Sequence, residues 1–375
     1  DGAPVQQIHP PRALRLPLVD LRARPAPARE AEAVQLATAD AHVPFDLASG
    51  PLLRATLVRL DDTEHRLFLT LHYIIFDGIT LYHVLLPELR ALYEAAILGN
   101  PSPLAPLPIQ PADYALWQRE WRHGAAAAEQ LAYWGRQLSG ARSFVALPTD
   151  YPRPAITSYR GAMHPFALPP ELSDALKVLS RREGVTLFMT LLAAFGALLH
   201  GMRGQDDMLI GTKTAGRRRE EVRNLMGYFL HIVPLRINLA DNPTFQALMQ
   251  RAREVTLGGV AHDDVSLHDL LEVPREEPHA RQATFFPVML TVEPRLPTLP
   301  SGWTITQLDV DTQTAKCDLY LELDDRPEGL VGRFEYSTDL FTAATVAHMA
   351  DRWQGLLAAI AANPGQHLSE LSITA

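Results

Sequence analysis

The run Leu71-His72-Tyr73-Ile74-Ile75-Phe76-Asp77-Gly78 places an imidazole, a phenol, a carboxylate and a glycine within eight residues. An imidazole titrates near pH 6.5, so it can take up and return a proton in neutral water. A phenol titrates near 10, so about one Tyr73 in a thousand is ionised at pH 7. Tyr73 is therefore a hydrogen-bonding group and a poor base. Gly78 has no Cβ, which lets a substrate approach the backbone and lets the Gly78 N–H steady a developing oxyanion. The alternative for Gly78 is a plain turn residue. His231 lies far along the chain. It serves as a base if it faces the same site and as a packing histidine otherwise.

Other residues of reactive type lack the pattern that would make them a site. His262-Asp263-Asp264 and His268-Asp269 bring imidazoles and carboxylates together, but their spacing matches no metal-ligand signature. Ser139 and Ser266 stand in no GxSxG elbow. The stretch Gly201–Gly204 lacks the Lys-Ser/Thr of a phosphate-binding loop, so no use of ATP is expected. No cofactor is expected to bind the chain itself.

These residues must be positioned by a chain of 375 residues, long enough for two domains. Its 47% apolar and 21% charged residues are those of a soluble globular protein. A net charge of −9 argues against nucleic-acid binding, which needs clustered Lys and Arg. The run Arg217-Arg218-Arg219 is followed at once by Glu220-Glu221 and reads as a solvated loop or helix start. A single cysteine, Cys317, excludes an internal disulfide framework and fits a reducing cytosol. The apolar run Leu187–Leu199 is too short to span a bilayer. Asp1-Gly2-Ala3-Pro4 has neither the basic start nor the apolar stretch of a signal peptide. A cytoplasmic location without membrane contact is expected.

Strands are expected at Leu14–Leu21, Leu52–Leu60 and Leu67–Ile75. Pro17 confines the first to a sheet edge, and Asp61-Asp62 closes the other two into a hairpin. Helical spacing covers Glu30–His42 and, after Gly78, Leu81–Leu98. Five prolines from Pro101 to Pro111 rule out regular structure there. One helical region, Ala112–Leu138, carries Trp117, Trp121 and Trp134. The stretch Leu147–Pro154 reads as a linker, which puts the domain boundary between residues 155 and 156. Beyond it, strands are expected at Ala162–Leu168, Asp207–Thr212, Phe229–Leu239, Thr284–Val292, Leu319–Leu323 and Leu330–Tyr336. Helices are expected at Pro170–Glu183, Thr186–Met202 and Thr342–Ala361. Strands and helices alternating irregularly indicate an α/β protein.

Several stretches, in order along the chain, resemble those of condensation domains of nonribosomal peptide synthetases. His72–Gly78 is similar to the HHxxxDG active-site motif, with Tyr73 in place of the second His. Pro44-Phe45-Asp46-Leu47 and Gly50-Pro51-Leu52-Leu53-Arg54 resemble the segment before it. Ile109–Ala115 with Trp117-Gln118-Arg119 resembles QYxDYAxWQR. Tyr133-Trp134 and Leu147–Asp150 with Arg153-Pro154 resemble the stretches that come next. Gly211-Thr212, Ala215-Gly216-Arg217, Met226-Gly227-Tyr228-Phe229 and Leu235-Arg236 resemble GTxxAGR and IGFFxNxxxLR.

The resemblance implies an α/β fold of two chloramphenicol-acetyltransferase-like lobes, residues 1–155 and 156–375, forming a V-shaped pseudo-dimer. A tunnel between them would admit phosphopantetheine arms from donor and acceptor carrier proteins, beside adjacent synthetase domains. The implied reaction is amide formation between carrier-bound thioesters, with the residue at position 73 as base. The resemblance makes His72 and Asp77 structural, His72 orienting the loop and Asp77 in a buried ion pair.

Departures from the family pattern are Tyr73, His231 where an Asn is usual, and Pro111 where a Tyr is usual. Residue 1 also matches a point after the family's SxxQxRLW and RHExLRT stretches. Either the first lobe is shortened or its missing part comes from elsewhere. The usual Arg partner of Asp77 belongs to that part, so Asp77 is expected to lack it. A heterocyclising relative would carry Asp in place of His72, and an epimerising relative a further Glu-containing motif. Acetyl-CoA-dependent acyltransferases share the fold and its His motif. A second implied role is a docking platform for carrier proteins or a tailoring enzyme.

Overall fold

The computed structural model describes residues 5–11, 13–141, 145, 147–272, 286–293, 296, 302–305 and 310–371. Contacts group the chain into two compact units. The first holds Asp1–Trp117, Arg219–Phe229 and Leu299–Thr312, and the second holds Gln118–Arg218, Leu230–Thr298 and Gln313–Ala375. This interleaving differs from a single cut between 155 and 156. Residues 118–155 group with the second unit, while residues 219–229 and 299–312 group with the first.

In the first unit, β1 (Leu18–Asp20) runs parallel to β2 (Leu53–Arg59), and β2 pairs antiparallel with β3 (His65–Leu71). Pro17 leaves β1 short and at the sheet edge. The hairpin closes through Asp61-Asp62, where the Leu60 N–H donates to the Glu64 carbonyl at 2.9 Å. Helix α1 (Ala26–Ala41) carries a proline in its first turn and lies on the hairpin through Ala33, which is buried with Leu21, Val58 and Leu60. The expected strand Leu67–Ile75 ends at Leu71, because residues Tyr73–Ile75 close a 3-10 turn. A helical stretch follows from residue 78, π-helical over Thr80–Leu85 and continuing as α2 (Leu86–Ile97).

The expected helical region Ala112–Leu138 holds two helices, α3 (Pro111–Trp121) and α4 (Ala125–Leu138). Gly124 is extended there, with φ −88° and ψ 166°, and breaks the run. The segment Arg219–Phe229 buries Val222, Leu225 and Phe229 against Ile109 and Tyr114 of the same unit.

The second unit is a six-stranded mixed sheet in the order β4 (Gly161–Ala167), β9 (Gly329–Ser337), β8 (Leu319–Arg326), β7 (Val288–Glu293), β5 (Asp207–Thr214), β6 (His231–Asn238). Strand β7 is parallel to both neighbours, and the other pairs are antiparallel. Residues 284–285 of the expected strand Thr284–Val292 lie outside the described residues. The expected strand from Phe229 starts at His231.

Helices α5 (Pro170–Arg182), α6 (Leu187–Arg203), α7 (Phe245–Ala261) and α9 (Ala343–Ala362) share a core with the sheet, and α8 (Leu267–Glu272) follows α7. Alternate strand residues such as Leu319, Leu321 and Leu323 enter that core. Helix α6 is buried from Met189 to Leu199. Thr186 caps its start by accepting the Met189 N–H, and Gly204 ends it with φ +66°. Among the described residues no single helix is long and apolar enough to cross a membrane.

Asp150 ties the extended segment before β4 to the start of α9. Its carboxylate accepts the Thr342 N–H at 2.7 Å and the Thr345 hydroxyl at 2.8 Å. These bonds, the Thr342 N–H foremost, hold its carboxyl below the ordinary value. A depressed folded-state pKa stabilises above the unfolded value near 4, and that contribution disappears as pH falls through the folded pKa. Asp150→Asn is expected to unfold at a lower temperature than wild type at pH 7. The difference should shrink below pH ~4, as measured by thermal melts.

Candidate active site

The motif residues sit where β3 gives way to the helix that begins at residue 78. His72 extends the hairpin by one bond, its N–H donating to the Leu52 carbonyl at 3.0 Å. Its Nδ1 accepts the Ile74 N–H at 3.1 Å, which leaves the proton of the neutral ring on Nε2. The ring edge meets Phe45, with centroids 5.7 Å apart. The Arg54 guanidinium covers Phe45 at 3.9 Å and is itself held by Asp40 at 2.9 Å. Asp40 also accepts the Thr70 hydroxyl on β3. A chain of contacts thus runs from the end of α1 through Arg54 and Phe45 to His72.

Tyr73 opens the 3-10 turn and is 37% exposed. Its ring meets Phe76 edge-on at 5.3 Å and Tyr228 at 5.4 Å. Asp77 is fully buried at the helix start. One carboxylate oxygen accepts the Thr80 N–H at 2.6 Å, as an N-cap does, and the other accepts the Phe229 N–H at 2.9 Å. Asp77 is expected to lack its usual Arg partner, and here two backbone donors meet its two oxygens. Gly78 is the first helical residue, where an N–H has no acceptor within the helix. The π-helical stretch that follows widens the helix directly after the motif, a feature common at functional sites.

The Thr80 hydroxyl donates to the Gly227 carbonyl at 2.7 Å. Together with Asp77 and Phe229, it fixes the residues on both sides of Tyr228 to the cap. In the same segment Phe229 meets Tyr114 at a tilt, Tyr114 stacks on Trp117, and Trp117 carries the Arg219 guanidinium at 3.8 Å. Sequence reasoning places Gly227, Tyr228 and Phe229 in a family-like stretch without giving any of them a role. The available signal is an aromatic pair beside a glycine.

His72, Tyr73, Asp77 and Gly78 are thus brought together in the first unit. His231 belongs to the second, as the buried first residue of β6 opposite Thr214. Its electrostatic neighbour is Asp263, whose carboxyl is pushed up by burial against the opposing pull of Thr214, Arg218 and His231. Arg218 approaches Asp263 to 3.6 Å.

The other acid and imidazole groups have structural partners. His262 stacks on Tyr133 at 3.7 Å, Asp264 accepts from Gln130 at 3.1 Å, and Asp269 meets Arg122 and Ser266. Cys317 is a buried free thiol among Phe286, Met289 and Tyr320.

A family model described as Condensation domain matches residues 1–375. A linear gramicidin synthase protein from Brevibacillus parabrevis is 42% identical over 378 residues, a match covering 100% of this chain and 5% of that protein. The chain therefore spans a small part of that relative. The X-domain from teicoplanin biosynthesis is similar in structure, with TM-score 0.80 and 27% identity over 98% of this chain and 83% of that one. A complex of that X-domain with OxyB matches with TM-score 0.78 and 26% identity, covering 99% of this chain and 82% of that one.

Proposed function

Because the chain belongs to the condensation-domain family of nonribosomal peptide synthetases, we propose that it is an acyltransferase that joins an acyl or peptidyl donor to an aminoacyl acceptor. Both arrive as thioesters on phosphopantetheine arms, from a donor and an acceptor carrier protein flanked by adjacent synthetase domains. In this reading residues 1–155 and 156–375 correspond to the two acyltransferase-like lobes, and the work takes place in the cytoplasm.

The observation that carries the reading is the motif turn. Asp77 caps the helix with both oxygens engaged, so Tyr73 and the Gly78 N–H are held in fixed positions on one exposed turn. The acceptor nitrogen attacks the thioester carbon, and the carbonyl π pair moves onto oxygen. The tetrahedral species then collapses, the C–S bond breaks, and the amine proton passes to the departing sulfur. The products are the amide and a free carrier thiol.

Gly78 supplies an N–H for the oxyanion. His72 orients the turn, and Tyr73 positions the amine by hydrogen bonding. About a tenth of an α-amine is already free base at pH 7, so the amine needs little help to lose its proton before attack. Holding both thioesters together then supplies several kcal/mol through proximity. His231 is assigned to substrate contact.

The test is a single turnover with donor and acceptor loaded on their carriers, read by mass spectrometry against a no-protein control. Product well above the control supports the reading, and none sinks it.

Tyr73 in place of a base, together with the likeness to an X-domain solved with OxyB, favours a second reading. Here the chain is a docking platform for carrier proteins or a tailoring enzyme. Calorimetric titration with neighbouring carriers and candidate tailoring enzymes tests it, and an absence of binding to all of them removes it.

A further inference from the structure

Tyr228 lies outside the His72–Gly78 turn, yet more contacts fix its place than its own ring makes. The carbonyl of Gly227 before it is held by the Thr80 hydroxyl at 2.7 Å, and the N–H of Phe229 after it by Asp77 at 2.9 Å. These two bonds tie the residue to the same helix cap that presents Tyr73 and Gly78. Its ring meets Tyr73 edge-on, with centroids 5.4 Å apart and planes at 66°. Tyr228 remains 42% exposed, and among the described residues no hydrogen bond engages its hydroxyl. A tyrosine held this firmly with a free hydroxyl is a donor awaiting an acceptor.

We propose that the Tyr228 hydroxyl donates a hydrogen bond to the oxyanion that forms at the motif turn when the amine attacks the thioester carbonyl. The proposal rests on the acyl-transfer reading above. In the attack the amine nitrogen forms the C–N bond and the carbonyl pair moves to oxygen. Tyr228 keeps its proton and donates to that oxygen. The C–S bond then breaks, the carbonyl re-forms, and the amine proton leaves with the thiolate sulfur as a thiol.

A donor must stay protonated across the working pH range. Burial, and after it the Asp77 carboxylate, push the Tyr228 phenol above its ordinary value near 10. Asp77 therefore acts on this group twice, by placing it and by keeping it neutral. The division of labour also fits the motif: a chain with Tyr73 as a poor base gains most from a donor for the charge that develops on oxygen.

The test compares two pantetheine analogues by calorimetry on the full chain. One carries a tetrahedral phosphonate in place of the thioester carbonyl, and the other a planar ketone. Wild type should bind the phosphonate more tightly than the ketone. Tyr228→Phe, which keeps the ring and removes the hydroxyl, should lose about tenfold of that preference with ketone affinity unchanged. This is below the 10²–10³ of an enclosed oxyanion donor because the group is half exposed.

With loaded carriers, Tyr228→Phe should also slow single turnover about tenfold without changing the carrier concentration at half-maximal rate. A Tyr228→Phe protein that keeps the full preference overturns the proposal, as does a wild type with none. If wild type shows the preference and Tyr228→Phe loses it while neither turns over, the donor stands and the acyl-transfer reading falls. If wild type turns over and the substitution moves neither readout, the reverse holds.

Discussion

Replacing Tyr73 with histidine is expected to raise the single-turnover condensation rate by about 10²-fold at pH 7.5, the lower end of what a positioned base contributes. The cause is availability of a proton acceptor. At pH 7.5 a phenol near pKa 10 is almost wholly protonated, while an imidazole near 6.5 is about nine-tenths free. His72 cannot fill the gap, because its Nδ1 already accepts the Ile74 N–H and its ring is wedged against Phe45. Tyr73 lies at the surface of the turn, so an imidazole fits its place without repacking a core.

The pH profile distinguishes base assistance from a packing effect. The variant should gain a rising limb with a midpoint near pH 6.5, which wild type lacks. An unchanged rate would mean that proton removal does not limit the reaction. Product from the variant alone would mean that the fold retains a site its own sequence no longer uses, which strengthens the docking reading.

Asp77→Ala is expected to destabilise the first unit by about 3 kcal/mol, at ~1–3 kcal/mol for each buried N–H stripped of its acceptor. The Thr80 and Phe229 N–H groups both lose their partner. Urea unfolding followed by tryptophan fluorescence would measure the loss. Asp77→Asn retains one acceptor oxygen and turns its NH₂ towards the other donor, so it should fall between wild type and alanine. The two variants also separate capping from bracing. Asn should keep the helix start while releasing Phe229, and with it the fixed position of Tyr228. Equal stability of all three proteins would remove Asp77 from its structural role.

The elements legible in the sequence are those whose signal is local. The β2–β3 hairpin shows in two apolar runs around Asp61-Asp62, and α6 in an apolar run between Thr186 and Gly204. The motif turn is legible because its residue types are contiguous. What stays hidden depends on contacts distant in sequence. Helix α7 is not among the expected elements, and its last turn holds Gly258 and Gly259. A Cβ on Gly258 would lie 2.2 Å from the Tyr133 hydroxyl, and one on Gly259 2.8 Å from Leu235, so close packing is what requires them. Phe229 reads as the start of a strand because Tyr228–Leu235 is nearly all apolar. Its N–H instead serves a carboxylate 152 residues earlier. The resemblance supplies an arginine for Asp77, and the backbone supplies the partners seen here.

The path of residues 219–229 bears on how such chains can be recombined. A shuffling experiment that joins one chain's first 155 residues to another's remainder would look conservative on paper, because the motif stays intact. It would nonetheless import a foreign lining for that motif, since the partner groups at Gly227 and Phe229 are encoded downstream of the junction while belonging to the upstream unit. Compatible hybrids should therefore be those that carry residues 219–229 along with the upstream parent.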